Sequence, residues 1–182
     1  MLRFAALVRW MNNVQPDPAF LPEQGGISDN SGTISFEEYL DRYGSLTYYN
    51  KGVSMKPLLY QNRDLFTVKA THGERCHKYD VVLYKRHPHR YVLHRIIQVR
   101  EHDYVIMGDN CIRKEYGITD HDILGVMVSY VRKGKTRTVE DWRYIGYSRI
   151  WVALTPFRII YRRLQRIFRM HGKGKTDTNE AE

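Results

Sequence analysis

A series of short β-prone segments between Leu65 and Val131 limits the fold most. LFTVKA (Leu65 to Ala70), DVVLYK (Asp80 to Lys85), YVLHRIIQV (Tyr91 to Val99), DYVIM (Asp103 to Met107) and ILGVMVSYV (Ile123 to Val131) are rich in β-branched and aromatic residues. Each is bounded by Gly, Asn, Asp or Pro clusters. No helical segments alternate with them, which argues against a parallel sheet of crossover units. The expected class is mainly β: a β-rich α+β fold, with an antiparallel sheet or small barrel at its core and helices at its two ends.

The flanks read differently. MLRFAALVRWMNN at the start reads as a short amphipathic helix, ending before Gln15-Pro16-Asp17-Pro18. Pro22 and the run GGISDNSGT continue a loop or linker composition. Ser35 and Glu38 form a capping box in SFEE, which predicts a helix to about Tyr43, with Gly44 as its stop. From about Ser148 the chain reads as a helix that Pro156 kinks or restarts. Phe157, Ile160, Leu164, Ile167 and Phe168 recur there at helical spacing, and arginines fill much of the remainder. The final GKGKTDTNEAE has the composition of a disordered tail. The expected organisation is an N-terminal segment and linker at 1–32, a catalytic domain at 33–146, and a basic helix with its tail at 147–182. A hydrophobic fraction of 42% is on the low side for a globular chain and suits such peripheral lengths.

The formal net charge of +9 favours an anionic partner: nucleic acid, an anionic membrane surface or an acidic polypeptide. The aromatic residues of the basic helix lie on its apolar stripe, not interleaved as base-stacking platforms, so nucleic acid ranks below the others. That helix can lie in a membrane interface or pack on the core with its arginines outward, and both readings stay open. No run is long and apolar enough for a transmembrane helix or the apolar region of a signal peptide. The expected location is cytoplasmic, with peripheral membrane contact as the alternative. Cys76 and Cys111 form no CxxC and no disulfide framework. His72, Cys76 and His77 match no standard zinc spacing, so neither metal nor cofactor is expected.

Three residues could carry chemistry. Ser54 follows a glycine turn in GVSMKPLL. His94 interrupts the most apolar strand, where an aliphatic residue is the ordinary choice. Asp109 sits in MGDN, just past a strand. A serine nucleophile needs a base within reach and a group to orient that base, in any chain order. Singly, each of the three has an ordinary structural explanation in a turn or a core.

Together they fall into a pattern. Ser54-Met55-Lys56-Pro57, Tyr79-Asp80-Val81-Val82, His94-Arg95-Ile96-Ile97, Gly108-Asp109-Asn110 and Ile123-Leu124-Gly125 occur in this order over about half the chain. The series resembles the type I signal peptidase family. His94 stands where the histidine-base variant, of archaeal and endoplasmic-reticulum type, has its base; Lys56 and Lys69 are not in the lysine variant's position. The resemblance implies a serine endopeptidase on the fold shared with LexA-like peptidases. It makes Ser54 the nucleophile, His94 the general base and Asp109 the residue that orients or stabilises His94. A further acid a few residues on is common in the family, and Glu115, Asp120 and Asp122 are its candidates here. The Ser54 N–H, with a hydroxyl such as Ser45 or Thr47, is the expected oxyanion site. Met55 is expected to pack beneath the nucleophile, and Pro57 to fix the exit of the turn. The implied substrate is an extended leader or signal-like peptide that adds to a strand edge, with shallow pockets for small side chains beside the cut. A non-catalytic peptide-binding module and a LexA-like regulator are the alternatives, the second weakened by the lack of a DNA-reading helix before residue 46.

Overall fold

The computed structural model describes residues 26–29, 32–86 and 90–173. The expected helix at the start of the chain, the prolines at 16, 18 and 22, and most of the expected tail lie outside them.

The β-prone segments assemble into one antiparallel sheet of eight strands. In chain order these are β3 (Ser45–Tyr49), β4 (Leu65–Ala70), β5 (Val81–Arg86), β6 (Arg90–Val99), β7 (Tyr104–Met107), β8 (Glu115–Ile118), β9 (Ile123–Arg132) and β10 (Lys135–Thr138). A small hairpin, β1 (Gly26–Asp29) with β2 (Gly32–Ser35), precedes them. It occupies part of the stretch expected to be linker, where Ile27 pairs with Ile34 and Ser28 with Thr33. Across the main sheet the order is β3-β4-β9-β5-β6-β7-β8, and β10 pairs with the far end of β9. The sheet stays open and does not close into a barrel.

Strand β5 shows why its sequence is an unbroken apolar run. Val81 and Leu83 belong to one core cluster, with Val68, Leu93 and Met127. Val82 and Tyr84 belong to the other, with Ile96, Tyr104 and Ile106. Alternate side chains of a strand point to opposite faces, so a strand covered on both faces loses its polar alternation. Burying each such side chain contributes about 1.5–3 kcal/mol.

The first core cluster is closed by α1 (Phe36–Tyr43) through Phe36 and Leu40. Ser35 caps α1 by accepting from the Glu38 N–H at 3.1 Å, the arrangement that the SFEE motif calls for. Past β10, α2 (Trp142–Ala153) begins earlier than the sequence suggests, because Asp141 caps it by accepting from the Arg143 N–H. Residue 147 therefore lies inside α2, whose Tyr144 and Ser148 are buried against the sheet. The chain restarts at Thr155–Pro156 as α3 (Thr155–Lys173). Proline is well placed there, since the first turn of a helix needs no N–H from it. Among the described residues no helix is long and apolar enough to cross a membrane.

Gly125 marks a close approach where β9 crosses β4. A Cβ at this position would meet the Lys69 carbonyl oxygen at 2.8 Å and the Val68 side chain at 3.2 Å. Both belong to the ladder and neither can swing aside. Gly125→Ala is expected to destabilise by about 1–3 kcal/mol, as overpacked sites do. Urea unfolding reads this directly, and an unchanged midpoint would contradict the packing described.

Candidate active site

The loop from Asn50 to Asp64, between β3 and β4, presents Ser54. Buried Asn50 shapes it: its side-chain amide donates to the Gly52 carbonyl at 2.7 Å, and its N–H donates to the Asp64 carbonyl at 2.9 Å. Met55, Leu58 and Leu59 are buried in the core and hold the far side of the loop down. Ser54 is therefore left at the surface of a well-anchored turn, half-buried between exposed Val53 and buried Met55. Among the described residues its hydroxyl has no hydrogen-bond partner.

His94 lies in the middle of β6, opposite Val82 of β5. Its ring leans over Gly108, the first residue after β7. A Cβ on Gly108 would fall 2.8 Å from His94 Nε2, from the Ser54 carbonyl oxygen and from Cys111 Sγ. Those three atoms converge on one point, and only glycine leaves room for them. Ser54, His94, Cys111 and Glu115 line a single cavity of about 650 Å³.

The other ring nitrogen faces a carboxylate. His94 Nδ1 lies 3.1 Å from Glu115 Oε1 and 3.3 Å from the Tyr84 hydroxyl. Tyr84 donates to Glu115 Oε2 at 2.9 Å, and the Arg86 Nε donates to the same oxygen at 2.9 Å. Burial of Glu115 favours its neutral form, but the hydrogen bonds from His94, Tyr84 and Arg86 outweigh that and hold its pKa at about 2. Burial likewise favours neutral His94. The interactions with Cys111 and Glu115 are stronger, and its pKa ends above the ordinary 6.5.

Asp109 does something different from what the sequence suggests. Its carboxylate accepts two parallel bonds from Arg95, Nε to Oδ1 at 2.8 Å and one terminal nitrogen to Oδ2 at 2.9 Å. The Tyr147 hydroxyl also donates to Oδ2, at 2.9 Å. Arg95 is fully buried and Asp109 is 2% exposed. The second terminal nitrogen of Arg95 donates to the Tyr79 carbonyl at 2.9 Å and to the Ser148 hydroxyl at 2.8 Å. Asp109 thus ties β6 to α2, and the acid that meets His94 is Glu115. Of the other candidates, Asp120 accepts from Arg75 and Tyr104, and Asp122 accepts from the Thr119 N–H and hydroxyl.

Met55 is fully buried under the serine turn. Pro57 lines a separate hollow with Lys56, Asn110 and Trp151. The Thr47 hydroxyl pairs with that of Thr67 at 2.9 Å inside the sheet, which occupies it away from an oxyanion. Ser45 pairs with Lys69 at the start of β3. The sequence assigns Cys111 no role, because nothing in its local sequence marks it as a neighbour of the imidazole. Both cysteines are free, and burial pushes the Cys76 thiol up to about 12. Among the described residues no three His, Cys, Asp or Glu side chains gather as metal ligands.

Comparison of the chain with protein-family models, with curated proteins and with solved structures finds no match.

The site gives two tests. Arg95→Ala leaves the buried Asp109 carboxylate without its cation and is expected to cost about 3–5 kcal/mol. A loss of under about 1 kcal/mol in urea unfolding would contradict the tie between β6 and α2. Cys111 and Glu115 both raise the His94 pKa, and Glu115→Gln removes the second contribution, so the imidazole should titrate at lower pH than in the wild type. NMR of the His94 ring reads this, and an unmoved midpoint would separate Glu115 from the imidazole.

Proposed function

We propose that the protein is a serine endopeptidase in which Ser54 is the nucleophile, His94 the general base and Glu115 the residue that positions His94. The observation that carries this reading is Glu115 on Nδ1 of the imidazole, with His94 Nε2 and the backbone of the Ser54 turn both facing Gly108 and both residues lining one cavity. With Glu115 accepting from Nδ1–H, Nε2 keeps its lone pair and can act as a base. Ser54 Oγ attacks the peptide carbonyl carbon as its proton passes to Nε2. Nε2 then gives that proton to the leaving amine, leaving an ester on Ser54. Water, deprotonated by the same nitrogen, hydrolyses the ester. The Ser54 N–H is the natural donor to the developing oxyanion.

The cavity suggests how a peptide is held. Outer strand β3 leads directly into the serine loop, and an extended peptide can lie along that approach. The walls away from the site are aromatic, with Phe36, Tyr48, Phe66 and Tyr91, and Lys51, Arg113 and Lys114 add positive charge. One bulky apolar side chain fits this space better than the small residues that the family resemblance implies. A second reading rests on Cys111, whose side chain interacts with the imidazole: the thiol and not the hydroxyl would then be the nucleophile, with the same base.

Cleavage of a peptide library by wild type, Ser54→Ala, His94→Ala and Cys111→Ala separates these readings. Loss of at least about a hundredfold is expected for Ser54→Ala and His94→Ala, with Cys111→Ala active. Activity lost in Cys111→Ala and kept in Ser54→Ala would transfer the role to the thiol. No cleavage by any form would favour a peptide-binding module. The wild-type rate should fall as pH drops, because protonated His94 cannot accept the serine proton. With its pKa raised, that limb is expected above pH 6.5, and a flat profile from about pH 5 to pH 8 would count against His94 as base.

A further inference from the structure

Helix α3 docks on the body of the protein the wrong way round for an ordinary amphipathic helix. Its inward contacts are polar. Thr155 is buried and donates to the Trp151 carbonyl at 3.3 Å. Arg158 stacks on the Trp151 ring, 3.9 Å from its centroid, and donates to the Asp109 carbonyl. Arg162, one turn on, donates to the carbonyl of Asn110 at 2.7 Å and to its side-chain oxygen. The apolar stripe points outward. Leu154, at the helix start, and Phe157, Ile160, Tyr161 and Leu164 are between 43% and 70% exposed. Their spacing from Phe157 on, three and four residues apart, makes one continuous row. A helix of a soluble domain buries that row; this one spends its arginines on the core, and among the described residues nothing covers the row.

The charge beside the row indicates what covers it. From 155 to 173 the sequence has no acidic residue, and Arg163, Arg166, Arg169 and Lys173 follow the two inward arginines. An apolar row flanked by cations on a helix of 19 residues matches an interfacial helix on an anionic bilayer. A second copy of this chain would bring the same positive charge to the contact and be repelled.

We infer that α3 is an in-plane anchor that rests its Phe157–Leu164 row on an anionic lipid surface. The anchor is joined to the candidate site. Asn110, held by Arg162, donates its N–H to the Ser54 carbonyl at 2.6 Å and its side-chain amide to the Val53 carbonyl at 3.1 Å. The serine turn is therefore joined to α3 by two hydrogen-bonded steps.

Vesicle flotation of the full chain tests the anchor without reference to catalysis. Vesicles of phosphatidylcholine alone and of phosphatidylcholine with phosphatidylglycerol are compared at low and high salt. The expected result is binding to the anionic vesicles only, weakened by salt. Phe157→Glu/Ile160→Glu, which alters two exposed side chains, should reduce binding at least about tenfold with an unchanged circular dichroism spectrum. Ser54→Ala should bind as the wild type does, so a failure of the peptidase reading leaves this result untouched. Wild-type protein that stays unbound on anionic vesicles overturns the inference, as does a double variant that floats equally well. Sedimentation showing a wild-type dimer that the double variant abolishes, with no vesicle binding, would assign the row to a second copy.

Discussion

The buried pair of Arg95 and Asp109 is the constraint on which the rest of the structure depends. A guanidinium and a carboxylate without solvent are costly unless every donor and acceptor is matched. Here Tyr79, Tyr147 and Ser148 satisfy the remaining positions. That requirement fixes three things together. It sets β6 against the loop after β7, it brings α2 across both, and it aims the neighbouring His94 to the opposite face of the sheet. Asp109 also has its carbonyl bound by Trp151 at 3.0 Å and by Arg158. The loop Gly108–Cys111 is thereby held from its side-chain end and its backbone end. Ser54 is tied to this loop through Asn110, so the relative placement of Ser54 and His94 follows from a pair that touches neither of their side chains.

The electrostatics divide cleanly between the two faces. On one, Arg95 is held charged by Asp109 with no water to exchange with. On the other, His94 faces Glu115, whose charge is maintained by Arg86 and Tyr84. Only the second holds an imidazole, the side chain whose ordinary pKa lies near neutral pH. The sign of its effect on stability follows from the raised pKa. Protonated His94 with Glu115 stabilises the fold below the ordinary value of 6.5, and that contribution is lost as pH rises through the folded pKa. The depressed pKa of Glu115 contributes stability above its ordinary 4.5 that is lost as pH falls towards about 2.

Much of this fold could be read from residue pattern. The five β-prone segments became β4, β5, β6, β7 and β9 with ends shifted by a residue or so, because β-branched runs between turn residues have few other uses. The short strands β8 and β10 carry no such run and emerge only through pairing with β7 and β9. Ser54 and His94 were singled out by the order of five short blocks, since each alone has an ordinary explanation in a turn or a core. The acid that meets His94 was not. Asp109 is nearer in sequence to the motif that suggests it, but Arg95, one residue past His94 and on the other face, claims it. Glu115 reaches His94 through the register that pairs it with Ile106 across β7, which spacing does not reveal. Periodicity gave the stripe on α3 but not the side that faces inward; that was decided by Arg158 and Arg162 finding backbone carbonyls.

The reading of the site stands or falls on which atom the imidazole activates. The most direct measurement is to treat the protein with a serine-directed fluorophosphonate, digest it and locate the adduct by mass spectrometry. The expected adduct is on Ser54, and it should be absent in His94→Ala. An adduct on Cys111, or Ser54 labelling that persists without His94, would contradict a hydroxyl nucleophile served by that imidazole.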